Sequence, residues 1–156
     1  MWHVLSFYAL LLGSTVYALG RGGAPERLFA LLCILGFAAT LLVRTPWPRE
    51  GGHVELGLLL VDFAMFGALY ALSIFSTRFW PIWMTAMQGL SVLAHVMALM
   101  PEPSAFGYQV MEEFWAYPEL TLLIVATRRH RRRLAANGTD PSWITSFARS
   151  GPPSRG

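Results

Sequence analysis

The chain has 156 residues, of which 54% are hydrophobic and only 13% are charged, with a formal net charge of +3 and a mean hydropathy of +0.46. Soluble domains usually carry about a quarter of charged residues, so this composition argues against one, and the length allows at most a single domain. The only cysteine, Cys33, excludes an intrachain disulfide, and all twelve basic residues are arginines, as in proteins from GC-rich bacterial genomes.

Five apolar segments are each long enough to cross a membrane, because about 20 helical residues span roughly 30 Å of hydrocarbon. They cover residues 2–19, 25–43, 56–75, 79–100 and 108–127, and the last is the weakest. Backbone groups in lipid must be satisfied within the segment, so helices are expected. The predicted fold class is therefore all-α. It is an integral membrane bundle of five transmembrane helices over residues 1–127, or of four if the last segment does not span.

The placement of the arginines predicts the orientation. With the N-terminus outside, ten of the twelve arginines fall on the cytoplasmic side, as the positive-inside rule requires. If the fifth segment does not span and the other four are inverted, nine of the twelve arginines still fall on the cytoplasmic side. Both arrangements predict a multi-pass protein of the bacterial inner (plasma) membrane whose C-terminal tail, residues 128–156, is cytoplasmic.

The tail opens with a basic run: Arg128, Arg129, Arg131, Arg132 and Arg133. It is interpreted as a topology anchor, or as a contact for anionic lipid headgroups at about 1 kcal/mol per residue. No folded module for reading nucleic acid accompanies it, so nucleic acid is not an expected partner. The remainder is rich in Gly, Pro and Ser and is predicted to be mostly disordered, apart from a turn at Pro141 capped by Asp140.

Polar side chains interrupt the apolar segments. Asp62 lies inside the third segment, and an ionisable group in a membrane span usually faces the protein interior. The fourth segment carries four polar residues at steps of three, three and four, which places them on one helical face. They are Thr85, Gln88, Ser91 and His95. We expect Asp62 and His95 to form a charge-assisted hydrogen bond between the two helices.

The fifth segment adds further carboxylates, and Pro118 is expected to bend it near its middle. Under the five-span topology the titratable groups converge in the outer half of the membrane, and the inner half is almost purely apolar. The predicted intramembrane cluster comprises Asp62, Gln88, His95, Glu112, Glu113 and Glu119.

Three interpretations of this cluster follow from its residue types. It can join the third and fourth helices, although interhelical hydrogen bonds average only about 0.6 kcal/mol. Carboxylates and a histidine in series are also the usual parts of a proton or ion path. A metal site of His95, Asp62 and Glu112 or Glu113 has suitable residue types but unsuitable spacing, since neighbouring helical residues diverge. Neither a metal nor another cofactor is predicted.

The segments GAPERLFALL, RFWPIW and FWAYPEL carry a resemblance that covers the spans. In these segments the chain resembles small multi-spanning inner-membrane proteins of GC-rich alphaproteobacteria. That resemblance implies a membrane location and brings no assigned activity.

The small size and the lack of a catalytic motif favour a non-enzymatic integral membrane protein, an accessory or assembly subunit of a larger inner-membrane complex. Its expected partners are the lipid bilayer and other membrane protein subunits. The alternative is a small transporter or proton-linked sensor that uses Asp62, His95 and Glu119. A third hypothesis, an enzyme acting on a lipid or isoprenoid, needs a pocket that opens into the bilayer beside Glu112 and Glu113.

Overall fold

The computed structural model describes residues 2–43, 56–97 and 115–144. These residues form five α-helices and no strand, apart from one isolated bridge, which confirms the all-α class for the described ranges. The helices are α1 (Trp2–Arg21), α2 (Ala24–Val43), α3 (Leu56–Phe75), α4 (Trp80–Met97) and α5 (Ala116–Asn137).

Glycine, proline and arginine set the helix ends. At the end of α1, Gly22 donates its backbone N–H to the Ala18 carbonyl at 2.8 Å, and Arg27 Nε donates to the Gly22 carbonyl at 3.0 Å. Pro25 lies in the first turn of α2, where a missing N–H costs nothing. At the end of α5, Gly138 adopts a left-handed φ of 71° and donates to the Leu134 carbonyl at 2.9 Å.

The helices form a ring in which consecutive helices pack antiparallel and α5 closes the circle. Helix α5 contacts α1, α2 and α4, whereas α3 contacts α2 and α4. Phe7, near the start of α1, meets Phe37 near the end of α2 and Tyr117 at the start of α5, with ring centroids 6.4 and 6.0 Å apart. Asp62, near the start of α3, meets His95 near the end of α4. Helices α1 and α5 therefore run parallel.

The bundle has two unlike ends. We call the end with Asp62 and His95 the Asp62 end, and the other, where Arg78 joins α3 to α4, the Arg78 end. The fully buried apolar core lies in the half nearer the Arg78 end and takes residues from every helix. There Phe29 of α2 packs edge-on against Trp80 of α4, at 5.7 Å between ring centroids. The other core residues are Ala18, Ala30, Leu69, Leu72, Met84, Leu123 and Ala126.

Two of the described helices, α2 and α3, are long and apolar enough to cross a membrane, with mean hydropathies of 2.0 and 2.1 over their most apolar stretches. Only 17% and 11% of those stretches are buried within the bundle. Helices α1, α4 and α5 carry more polar groups, such as the arginines of α5 and the polar face of α4. The structure thus supports two spans by length and composition, and the five-span topology stays a prediction.

Helix α5 differs from the predicted fifth segment at both ends. It begins at Ala116, so Pro118 lies in its first turn and does not bend a mid-membrane helix, which corrects that expectation. It also continues past the predicted boundary at 127/128 to Asn137. Residues 98–114, which include Glu112 and Glu113, lie outside the described residues.

The expectation of a mostly disordered tail is corrected for residues 128–144. Residues 128–137 belong to α5, and the following residues return to the α3–α4 connection. Thr77 donates its backbone N–H to the Ser142 carbonyl at 3.2 Å, and Ile144 donates to the Phe75 carbonyl at 2.9 Å. We call residues 138–144 the return segment; residues 145–156 lie outside the described residues.

Candidate functional site

The structure brings Asp62, Gln88, Ser91 and His95 together at the α3–α4 interface. Gln88 Nε2 donates to Asp62 Oδ1 at 3.1 Å, and Ser91 Oγ donates to Asp62 Oδ2 at 3.0 Å. His95 Nε2 lies 2.8 Å from the same Oδ2, and its side chain is only 1% exposed. Both carboxylate oxygens of Asp62 are therefore engaged by side chains of α4.

The spacing of polar residues on α4 positions this cluster. Thr85, Gln88, Ser91 and His95 are all buried, as expected for one face of the helix turned toward the bundle. Thr85 does not join the cluster, because its hydroxyl donates to the Pro81 carbonyl of its own helix at 2.8 Å. The spacing thus predicted the buried face correctly, and the three residues nearer the Asp62 end reach the carboxylate.

A cavity of about 370 Å³ lies beside Asp62, between α1, α2, α3 and the start of α5. Asp62 and Glu119 both line it, and no other described acidic residue does. Four aromatic rings from three helices form much of its wall: Phe7, Tyr8, Phe37 and Tyr117. The volume lies within the usual range for small-molecule sites, about 300 to 1,000 Å³. We call this space the Asp62 cavity.

Glu119 differs from Asp62 in the hydrogen bonds that its carboxyl group receives. It lies in the first turn of α5, and its Oε1 atom is buried and receives no hydrogen bond from any described residue. A buried polar atom without a partner normally costs free energy, so such an atom in a residue that lines a cavity suggests that a ligand, water or proton binds nearby. Sequence analysis had placed Glu119 in the cluster, and the structure places it on the wall of the cavity that Asp62 also lines.

Two further polar residues of α3, Tyr70 and Ser73, lie away from the cavity. On α3, Tyr70 is exposed and Ser73 donates to the Tyr70 carbonyl at 2.7 Å, so neither contributes to the cavity. Glu112 and Glu113 lie outside the described residues. Within the described ranges no group of three His, Cys, Asp or Glu side chains is arranged to hold a metal ion.

A second polar cluster at the Arg78 end was not anticipated. Arg78 contacts Asp140 of the return segment through Nη1, and its Nε lies 3.8 Å from Oε1 of Glu26. His130 Nδ1 lies 2.7 Å from Asp140 Oδ2, and Arg133 Nε donates to the same carboxylate at 3.1 and 3.2 Å. We call these five residues the Asp140 network.

Glu26 and Asp140, the two acidic residues of this network, differ in burial and in hydrogen-bond partners. Glu26 is fully buried and accepts a hydrogen bond from Trp80 Nε1 at 3.1 Å. For Asp140, burial alone would raise the pKa, but hydrogen bonds from Arg78, His130 and Arg133 outweigh it and lower the pKa to about 2. The one available signal in the sequence was that Asp140 is the only acidic residue after Glu119, in a tail of many arginines.

The basic run of the tail divides between two roles. Arg133 belongs to the Asp140 network and is partly buried. The remaining four side chains are exposed on the surface of α5: Arg128, Arg129, Arg131 and Arg132. His130, between them in sequence, faces inward and is 9% exposed. Four of the five predicted lipid-contact arginines are thus placed where a headgroup could reach them.

Compared with protein-family models, with curated proteins and with solved structures, the chain matches none.

Proposed function

We propose that this chain is a non-enzymatic integral membrane protein of the bacterial inner membrane, an accessory or assembly subunit of a larger complex. In this proposal all five helices cross the bilayer, with the Arg78 end and the C-terminus in the cytoplasm. The observation that carries it is the outer surface of α2 and α3, whose most apolar stretches have mean hydropathies of 2.0 and 2.1 and are mostly unburied. A core helix of a soluble protein would be covered by its neighbours, whereas lipid or a partner helix would cover these.

The distribution of charge supports the proposed orientation. Every arginine in the described ranges lies toward the Arg78 end: at the end of α1, at the start of α2, on the α3–α4 connection or in the second half of α5. Positive charge on one side of a bundle is the usual signature of its cytoplasmic side. The exposed arginines of α5 are then in position to contact anionic lipid headgroups, and the resemblance to small inner-membrane proteins of alphaproteobacteria agrees with this location.

The outward face of α3 supports a partner subunit. Ala64, Gly67 and Ala71 are exposed along one side of α3, and a side chain built at Gly67 would meet nothing within 4 Å. Small residues four apart, such as Gly67 and Ala71, allow a second transmembrane helix to approach closely. A face of this kind suits a subunit that packs beside another membrane protein.

Co-purification tests the subunit role. The full chain, tagged and extracted from its host in mild detergent, should elute in a complex heavier than the monomer when measured by native mass spectrometry. Gly67→Leu should dissociate that complex, because it fills the proposed contact face. Gly13→Leu is the matched control, since Gly13 is also exposed with nothing within 4 Å. Elution of the wild-type chain as a monomer without companions would contradict the proposal.

The Asp62 cavity favours one alternative, a small transporter or proton-linked sensor. Asp62 and Glu119 place two carboxylates on the wall of one cavity, and the imidazole of His95 lies 2.8 Å from Asp62. Such groups inside a membrane commonly bind ions or protons. Asp62→Asn and His95→Ala, introduced into the host gene, should then abolish the cellular phenotype of the chain while its abundance is unchanged. Survival of that phenotype in both variants would remove this alternative.

A further inference from the structure

The two carboxyl groups that line the Asp62 cavity have unequal sets of partners. Asp62 has His95 as its partner at 2.8 Å, and Gln88 and Ser91 complete its hydrogen bonds. Glu119 lines the same cavity with a buried oxygen that no described residue contacts by hydrogen bond. Every arginine of the described ranges lies toward the opposite end of the bundle. Two carboxylates and a single imidazole therefore lie in or beside the cavity wall, with no described arginine near them.

Aromatic rings form much of the cavity wall beside the two carboxyl groups. Phe7 packs against Tyr8, Phe37 and Tyr117, with ring centroids 5.8 to 6.4 Å apart, and all four rings line the space. Aromatic faces attract cations and also cover apolar ligand surface. A small inorganic cation would need several oxygen ligands around it, and no described trio of metal-binding side chains is present. An anion would be repelled by both carboxylates.

From these observations we infer that the Asp62 cavity binds a small organic cation, an amine with an apolar or aromatic body. Its ammonium group would donate to the unpartnered oxygen of Glu119, on the cavity wall that Asp62 also lines. Its apolar body would lie against the rings of Phe7, Tyr8, Phe37 and Tyr117. A volume of about 370 Å³ admits a molecule of one ring and a short chain. This site goes beyond the subunit role and gives the transporter or sensor alternative a ligand class.

Binding can be measured directly on the purified full chain in lipid nanodiscs. The probes are 2-phenylethylamine, which is cationic at neutral pH, and 2-phenylethanol, a neutral molecule of nearly the same shape. Isothermal titration calorimetry, with empty nanodiscs subtracted, should give a dissociation constant at least tenfold lower for the amine. Equal affinity of the two probes, or no binding of either, would overturn the inference even if no variant could be prepared.

Two variants then test whether Glu119 binds the ammonium group of the amine. Glu119→Gln keeps the size of the side chain and should remove the preference for the amine while the alcohol still binds, which shows that the cavity is intact. Thr121→Val is the matched control on α5, because Thr121 is exposed and its hydroxyl donates to the Tyr117 carbonyl at 2.8 Å. The control should keep the tenfold preference. A preference that survives Glu119→Gln would show that Glu119 does not hold the cation.

The outcome is distinguishable from that of the subunit proposal. A chain that co-purifies with a larger complex but shows no preference for the amine would keep the subunit role and lose the cation site. A monomeric chain that prefers the amine would keep the cation site and lose the subunit role.

Discussion

His95 of α4 and Asp62 of α3 meet 2.8 Å apart across the interface of two antiparallel helices, and His95 is almost completely buried. Burial of either group costs free energy, and the contact between them reduces that cost. The pair also fixes the relative position of α3 and α4 at the end of the bundle where the apolar core is absent.

A double-mutant cycle should detect this pair as an energetic coupling. We expect Asp62→Asn and His95→Ala to destabilise the bundle, with a coupling free energy of about 1 kcal/mol, near the range measured for interhelical hydrogen bonds in membranes. Unfolding in mixed micelles with increasing denaturing detergent measures it. Thr85→Val provides the control partner for Asp62→Asn, since Thr85 bonds only within α4, and this pair should be additive. Coupling as large for Thr85 as for His95 would contradict a direct interaction.

The return segment should depend on Asp140. Asp140→Asn removes the negative charge that holds Arg78, His130 and Arg133, so we expect the segment to leave the α3–α4 connection more often. Hydrogen exchange at the backbone amides of Thr77 and Ile144 reports this, because both donate across that contact.

The control for the return segment is a neighbouring exposed residue. Thr139→Val changes a side chain beside Asp140 in sequence that lies on the surface, and exchange should stay at the wild-type rate. Unchanged exchange in Asp140→Asn would show that the backbone hydrogen bonds alone hold the return segment.

Acid should release the same segment. The pKa of Asp140 is about 2 in the folded chain, below its ordinary value of 3.8. A lowered pKa stabilises the folded form at pH values above 3.8, and that contribution is lost as the pH falls from about 4 toward 2. Its size at neutral pH is roughly 1–2 kcal/mol after allowance for solvent screening at the edge of the bundle.

Hydrogen exchange of Ile144 between pH 5 and pH 2, corrected for the intrinsic exchange rate, should show the acid release. Asp140→Asn should abolish the pH dependence over this interval. A wild-type profile that is flat below pH 4 would contradict the role assigned to Asp140.

Gly23 should tolerate no side chain. A Cβ atom built at Gly23 would lie 2.9 Å from Oε2 of Glu26 and 2.9 Å from Cε1 of His130, two side chains buried in the network. We expect Gly23→Ala to destabilise the bundle by about 1–3 kcal/mol, as overpacking usually does. Gly20→Ala is the matched control: Gly20 lies within α1 with nothing within 4 Å, so alanine there should be neutral or stabilising by up to about 1 kcal/mol. Equal effects of the two substitutions in the unfolding assay would show that the contact is not tight.

The helices were predictable because their signals are local. Apolar runs of about twenty residues predict α1 to α4 to within a few residues of the observed bounds. Glycine and proline residues such as Gly22 and Pro25 mark where these runs end or begin. The polar face of α4 was predictable for the same reason, since a helical repeat alone brings Gln88, Ser91 and His95 to one side.

The Asp140 network was not predictable, because it depends on where the chain goes after α5. Arg78 and Asp140 lie 62 residues apart, and nothing near either residue specifies the other. The rotation of α5 that turns His130 inward and its arginine neighbours outward follows from packing against α1, α2 and α4. The wall of the Asp62 cavity has the same origin, since it combines rings from three helices.

Apart from Leu120, which lines the cavity, the buried apolar residues lie on the Arg78 side of the bundle, and the cavity occupies the other side. Stability against unfolding is therefore concentrated where the apolar packing is dense, and the opposite half is the more compressible one. Small shifts of α1 and α5 would therefore change the shape of the cavity while the half nearer Arg78 keeps its packing.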